Sequence, residues 1–112
     1  RMVKYNQIEP KLILEVEAMM SNIPIDIGKV KKSDLVKEIL RVGMIAELDA
    51  ISLYEQLAAM TDRADIKKVF LDIAREEKTH VGEFQELLLR EDKEQVAELK
   101  KGKEEVAEIT GK

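Results

Sequence analysis

The stretch Ala58-Ala-Met-Thr-Asp-Arg-Ala-Asp65 decides how this chain folds. On either side of it, apolar residues recur every three or four positions, the period of one helix face. Before it, Val36, Leu40, Met44, Ile51, Tyr54 and Ala58 make one stripe; after it, Phe70, Ile73, Ala74, Val81, Phe84 and Leu88 make another. The first stripe predicts a long helix over about 34–60, with Ser33 as its N-cap and Asp34 at the positive end of its dipole. The second predicts a long helix over about 64–90, with Asp62 available as cap and Asp65 in the first turn. Only Thr61-Asp62-Arg63 separates them. So short a connection forces an antiparallel hairpin.

Further along the chain, Asp92 followed by Gln95 resembles a capping box and starts a third, shorter helix. That helix is expected to run through Lys101, break at Gly102 and resume for one turn before Gly111. In the other direction, residues 1–32 read as an N-terminal extension and 33–112 as one helical domain. Within the extension, Ile8, Leu12, Val16, Met19 and Met20 fit a short helix, and Asn22 to Gly28 reads as an extended loop because of Pro24 and Gly28.

Composition agrees with an all-α fold. The 112 residues are 45% hydrophobic and 38% charged, with two Pro and five Gly. Aromatic residues are few, so aliphatic side chains fill the core, and a domain this small commonly needs a partner chain to complete burial. The net charge of −4, with both signs interspersed, argues against nucleic-acid binding. There is no long apolar run, so no membrane span is expected, and the cytoplasm is the expected location. The absence of Cys excludes disulfides, Cys-ligated zinc and rubredoxin-type iron.

Three residues sit where a core should be. Glu47 completes the first stripe, with Met44, Ile51 and Tyr54 at −3, +4 and +7. Glu77 lies in the middle of the second, and His80, the single histidine, is three residues beyond it. Burying a carboxylate there is unfavourable unless something positive meets it. Residues three apart share a helix face, with Cβ atoms about 5–6 Å apart, so Glu77 and His80 can bind one cation. Taken singly, each residue has an ordinary explanation. A lone Glu-x-x-His arises by chance, a lone histidine is more often a hydrogen-bonded core residue, and Glu47 could meet a snorkelling lysine. All three together, central in their stripes and in register across a hairpin, favour a metal site.

A di-iron carboxylate bundle takes four carboxylates and two histidines from four helices. This chain offers two long helices, two mid-stripe glutamates and one histidine, half of each. Either no such site exists, or two chains build it across a two-fold axis. A homodimer satisfies the ligand count and supplies the hairpin with the partner its exposed core lacks.

The runs Ala46-Glu-Leu-Asp-Ala-Ile-Ser-Leu-Tyr-Glu-Gln56, Asp72-Ile-Ala-Arg-Glu-Glu-Lys-Thr-His80 and Val81-Gly-Glu-Phe84 resemble the encapsulated ferritins. These are ferritin-like proteins sequestered inside encapsulin shells, and the similarity spans about 35–111. The resemblance implies a hairpin plus shorter C-terminal helix that dimerises into a ferritin-like four-helix bundle. It implies a di-iron centre held by Glu47, Glu77 and His80 of two subunits, and further assembly into a homodecamer, a ring of five dimers. By the same resemblance Tyr54 lies near the centre, although a core aromatic with a wet hydroxyl explains it equally well. Asp49 matches an acid on the route by which metal enters. Two departures stand out: Ala46 occupies a position often acidic in the family, and Leu53 one where many bacterial members carry Trp.

The resemblance further implies a ferroxidase that oxidises Fe²⁺ with O₂ or H₂O₂ and leaves mineral storage to an encapsulin shell in the cytoplasm. Hard oxygen and imidazole ligands suit iron. His80 must be neutral to ligate, so acid is expected to weaken the site. Two other readings remain at this stage: a rubrerythrin-like di-iron peroxidase, and a metal-free helical module that dimerises or docks a shell.

Overall fold

The computed structural model describes residues 27–112. The helix expected over Ile8–Met20 and most of the following loop lie outside that range. Ile27–Lys29 form one turn of 3-10 helix where an extended loop was expected. Such short turns are common just before a helix begins.

Three helices follow. Helix α1 spans Lys32–Ala59, α2 spans Ala64–Glu91 and α3 spans Lys93–Thr110. Helices α1 and α2 pack along each other as the expected hairpin. There is no strand among the described residues, so the fold is all-α.

The helix ends differ from expectation in three places. Ser33 is not the N-cap of α1, because the helix starts one residue earlier and Lys31 holds the cap position with no side-chain bond. Asp34 keeps its place in the first turn, where its N–H donates to the Lys31 carbonyl at 2.9 Å. Asp62 does not cap α2 either. Arg63 takes that position, and its N–H donates to Thr61 Oγ1 at 3.2 Å while its guanidinium pairs with Asp65 at 2.9 Å. That guanidinium, helped by the Ile66 N–H, holds the Asp65 carboxyl below its ordinary value. The third difference is Gly102, which does not break α3. A single interior glycine costs about 1 kcal/mol against alanine, and the Lys, Glu and Ala residues around it are strong helix formers. The helix ends instead at Gly111, which turns left-handed at φ 78° and donates to the Ala107 carbonyl at 2.8 Å.

The Asp92 cap matches expectation, its Oδ1 accepting from Gln95 N–H at 3.0 Å. The same side chain makes a link that the sequence did not announce. Its Oδ2 accepts from Arg41 Nη2 of α1 at 3.2 Å, and Arg41 Nη1 donates to Glu38 at 2.9 Å.

The core follows the two stripes. Leu40 and Ala58 of α1 and Ala74 and Leu88 of α2 are buried, with the other stripe residues half-buried between them. Val36 is the exception at 49% exposure. At Gly43 the second helix comes close to the first. A Cβ there would sit 3.2 Å from carbons of the Phe84 ring, so the absent side chain lets that ring lie against the α1 backbone. Tyr54 packs against Phe70 with ring centroids 6.0 Å apart.

This core is thin. No residue of α3 is buried, and Val96, Leu99, Val106 and Ile109 face outward, as do Ile39, Leu48 and Val69 of the hairpin. The radius of gyration is 17.3 Å, against about 13 Å for a compact domain of 100 residues. No helix among the described residues is long and apolar enough to cross a membrane.

Candidate metal centre

Near the middle of the hairpin, α1 brings Glu47 opposite Glu77 and His80 of α2. One turn of α2 separates Glu77 from His80, which points both into the seam with α1. The apolar stripes that flank them fix the helical phase, so all three are carried inward together.

The geometry is tight. One ligand atom from each of Glu47, Glu77 and His80 can be chosen so that all lie within 4.8 Å of one another. His80 Nδ1 is 3.2 Å from Glu77 Oε2 and 3.4 Å from Glu47 Oε2. Because a carboxylate only accepts, Nδ1–H donates in the Glu77 contact. Glu47 is different. Its Oε2 is shielded from solvent and has no hydrogen-bond partner, His80 Nδ1 at 3.4 Å lying outside bonding geometry. Leaving such an oxygen unpaired costs about 1–3 kcal/mol, more when it is charged. A cation among the three would satisfy it. The donor set, two carboxylates and an imidazole, is one that iron accepts.

The site is shielded on one side only. The Glu47 and Glu77 side chains are 18% and 20% exposed, whereas that of His80 is 44% exposed. Three donors leave a metal's coordination incomplete, and the open side is where further ligands would have to come from.

The other two expected site residues stand apart from this trio. Tyr54 lies on the same face of α1, and the ring contact it makes is with Phe70. Asp49, half-buried two residues beyond Glu47, is not among the three converging donors. Sequence reasoning found every member of the trio, and the Arg41–Asp92 link was the feature it missed. An arginine and an aspartate 51 residues apart carry no local signal of pairing.

Comparison with known proteins gives a consistent picture. Residues 38–112 match the family model described as rubrerythrin. The chain is 62% identical over 74 residues to a ferritin-like–encapsulin shell fusion protein of Pyrococcus furiosus, covering 66% of this chain and 21% of that protein. It is 38% identical over 82 residues to the encapsulin nanocompartment cargo protein EncC of Myxococcus xanthus, covering 73% of this chain and 62% of that one. The chain thus spans less than two thirds of either curated relative. The crystal structure of the encapsulated ferritin domain from Pyrococcus furiosus superposes with a TM-score of 0.72 at 50% identity, covering 85% of this chain and 97% of that one. On the family match and on this fold-and-sequence agreement together, the chain belongs to the rubrerythrin family as an encapsulated-ferritin domain.

Proposed function

We propose that this protein is a ferroxidase, oxidising Fe²⁺ to Fe³⁺ at a di-iron centre that two copies of the chain build together. The convergence of Glu47, Glu77 and His80 around an unpaired, shielded carboxylate oxygen carries this reading. One hairpin supplies half the ligands of a di-iron carboxylate site, and a two-fold related hairpin supplies the other half. The thin core and outward apolar residues of the single chain favour such a partner.

In this reading Glu47 and Glu77 would help hold the metal and provide the negative charge that favours the ferric product. His80 would ligate as the neutral imidazole, through whichever ring nitrogen carries no hydrogen, so ligation through Nδ1 would require the tautomer protonated at Nε2. Two irons bound there would supply the two electrons that O₂ or H₂O₂ takes up. Tyr54 and Asp49 are assigned the supporting roles of a nearby tyrosine and an acid on the metal's way in. The names of the relatives, a shell fusion protein and a shell cargo protein, favour an encapsulin partner and a place inside its compartment; a cytoplasmic location and a homodecamer of five dimers complete the proposal.

Metal analysis of purified protein loaded anaerobically with Fe²⁺ tests the centre: two irons per pair of chains are expected, and none would defeat the proposal. The rubrerythrin match favours a second reading, a di-iron peroxidase. Comparing turnover with O₂ and with H₂O₂ separates the two, since a peroxidase prefers the latter.

A further inference from the structure

The junction between α2 and α3 consists of one residue. Asp92 has φ −135° and ψ 90°, while Glu91 before it ends α2 and Lys93 after it begins α3. From Gln85 to Lys101 the sequence contains neither Gly nor Pro, and nearly all its residues are good helix formers. Nothing in the local sequence forbids Asp92 from turning helical. Were it to do so, α2 and α3 would join into one helix from Ala64 to Thr110, and the backbone groups now orphaned at the junction would pair within it.

What opposes this is the Asp92 side chain. Its Oδ1 accepts from Gln95 N–H at 3.0 Å and so satisfies a donor at the start of α3. Its Oδ2 accepts from Arg41 Nη2 at 3.2 Å and ties the junction to α1, while Glu38 braces Arg41 from the other side at 2.9 Å. Asp92 is 8% exposed, the one polar or charged residue buried among the described residues. Helix α3 has no buried residue of its own to hold its direction.

We infer that Asp92 and Arg41 form a latch that selects a bent junction over a continuous helix, and so sets where α3 points. Releasing the latch straightens the junction and moves the outward face of Val96, Leu99, Val106 and Ile109 relative to the hairpin. The latch is independent of any metal at the centre.

The chain has no Cys, so two labels can be placed without background. Spin labels at Gln85→Cys and Glu105→Cys, in full-length chain diluted with excess unlabelled chain, give the intramolecular distance by double electron–electron resonance. On a continuous helix 20 residues span about 30 Å at the helical rise. The parent is expected to show a single shorter distance. Asp92→Ala removes both bonds and adds helix propensity, so it is expected to populate the distance near 30 Å. Asp92→Asn keeps a capping oxygen, and Arg41→Gln removes the tie and its Glu38 brace but leaves the Asp92 cap, so both are expected to populate it less. A distribution in Asp92→Ala identical to the parent's, with helix content retained, overturns the inference. Should that variant fail to fold, the other two decide, and an unchanged distance in both overturns it equally.

Discussion

The α1–α2 hairpin and α3 carry the same kind of signal, an apolar stripe on a charged helix, yet end in opposite environments. Leu88 in the hairpin is 4% exposed, and Ile109 in α3 is 84% exposed. Periodicity states that a face is suited to burial; it does not state what buries it. In the hairpin, the three-residue connection supplies the partner. In α3 the described residues supply none, and the side-chain tie from its start to the hairpin is that of Asp92 to Arg41. The hairpin centre adds the complementary case, where ionisable groups occupy stripe positions and the partner proposed for them is a cation.

The largest effect expected from breaking this contrast lies at the centre. Glu77→Ala or His80→Ala should lower Fe²⁺ oxidation by more than the roughly 100-fold that losing even an outer-shell partner can cause. Helix content by circular dichroism should stay near the parent's. Parent rates in either variant would remove the centre from the function.

Next in size is the core itself. Leu88→Ala should destabilise the protein by about 2–4 kcal/mol in denaturant titration, because a buried leucine leaves a cavity. Ile109→Ala should change stability by no more than about 0.5 kcal/mol. Equal losses would mean that another chain covers α3 in solution and that the contrast belongs to the isolated chain only.

The seam between the helices gives a smaller test. Gly43→Val should cost about 1–3 kcal/mol by overpacking against Phe84. Gly43→Ala should be near neutral, since a helix-propensity gain of about 1 kcal/mol offsets a shift of the ring by a few tenths of an ångström. A large loss in the alanine variant would show that Phe84 cannot move.

The smallest effect concerns the turn. Asp65 has its carboxyl held below the ordinary value of 3.8 by Arg63, so its contribution is present above that pH and is lost as pH falls through the depressed folded-state value. Asp65→Asn should therefore be slightly less stable than the parent at neutral pH and equal to it in strong acid. Because the pair is fully exposed, the difference should also shrink in high salt. A gap that widened toward acid would contradict the assignment.

Much of this was legible in the sequence because it rests on local rules. The hairpin follows from two stripes and a three-residue gap. Glu47, Glu77 and His80 announced themselves by being ionisable in apolar positions. The Asp92 cap followed from Gln95 three residues on. Where local rules failed, another local force outweighed them: α1 and α2 began without Ser33 or Asp62 as caps, and strong helix formers carried α3 through Gly102. The Arg41–Asp92 link was illegible for a different reason, since nothing near either residue encodes the other.

The sequence by itself determined that the chain is helical, that two of its helices fold back on each other, and that three particular side chains share the seam. Those outcomes depend on periodicity and connection length, which are properties of neighbouring residues. Only the tertiary structure decided which oxygen of the trio is left without a hydrogen bond, how closely Gly43 admits Phe84, and that Arg41 meets Asp92 at the start of α3. Each of these is a distance between residues far apart in the chain, and a distance of that kind exists only once the helices have packed.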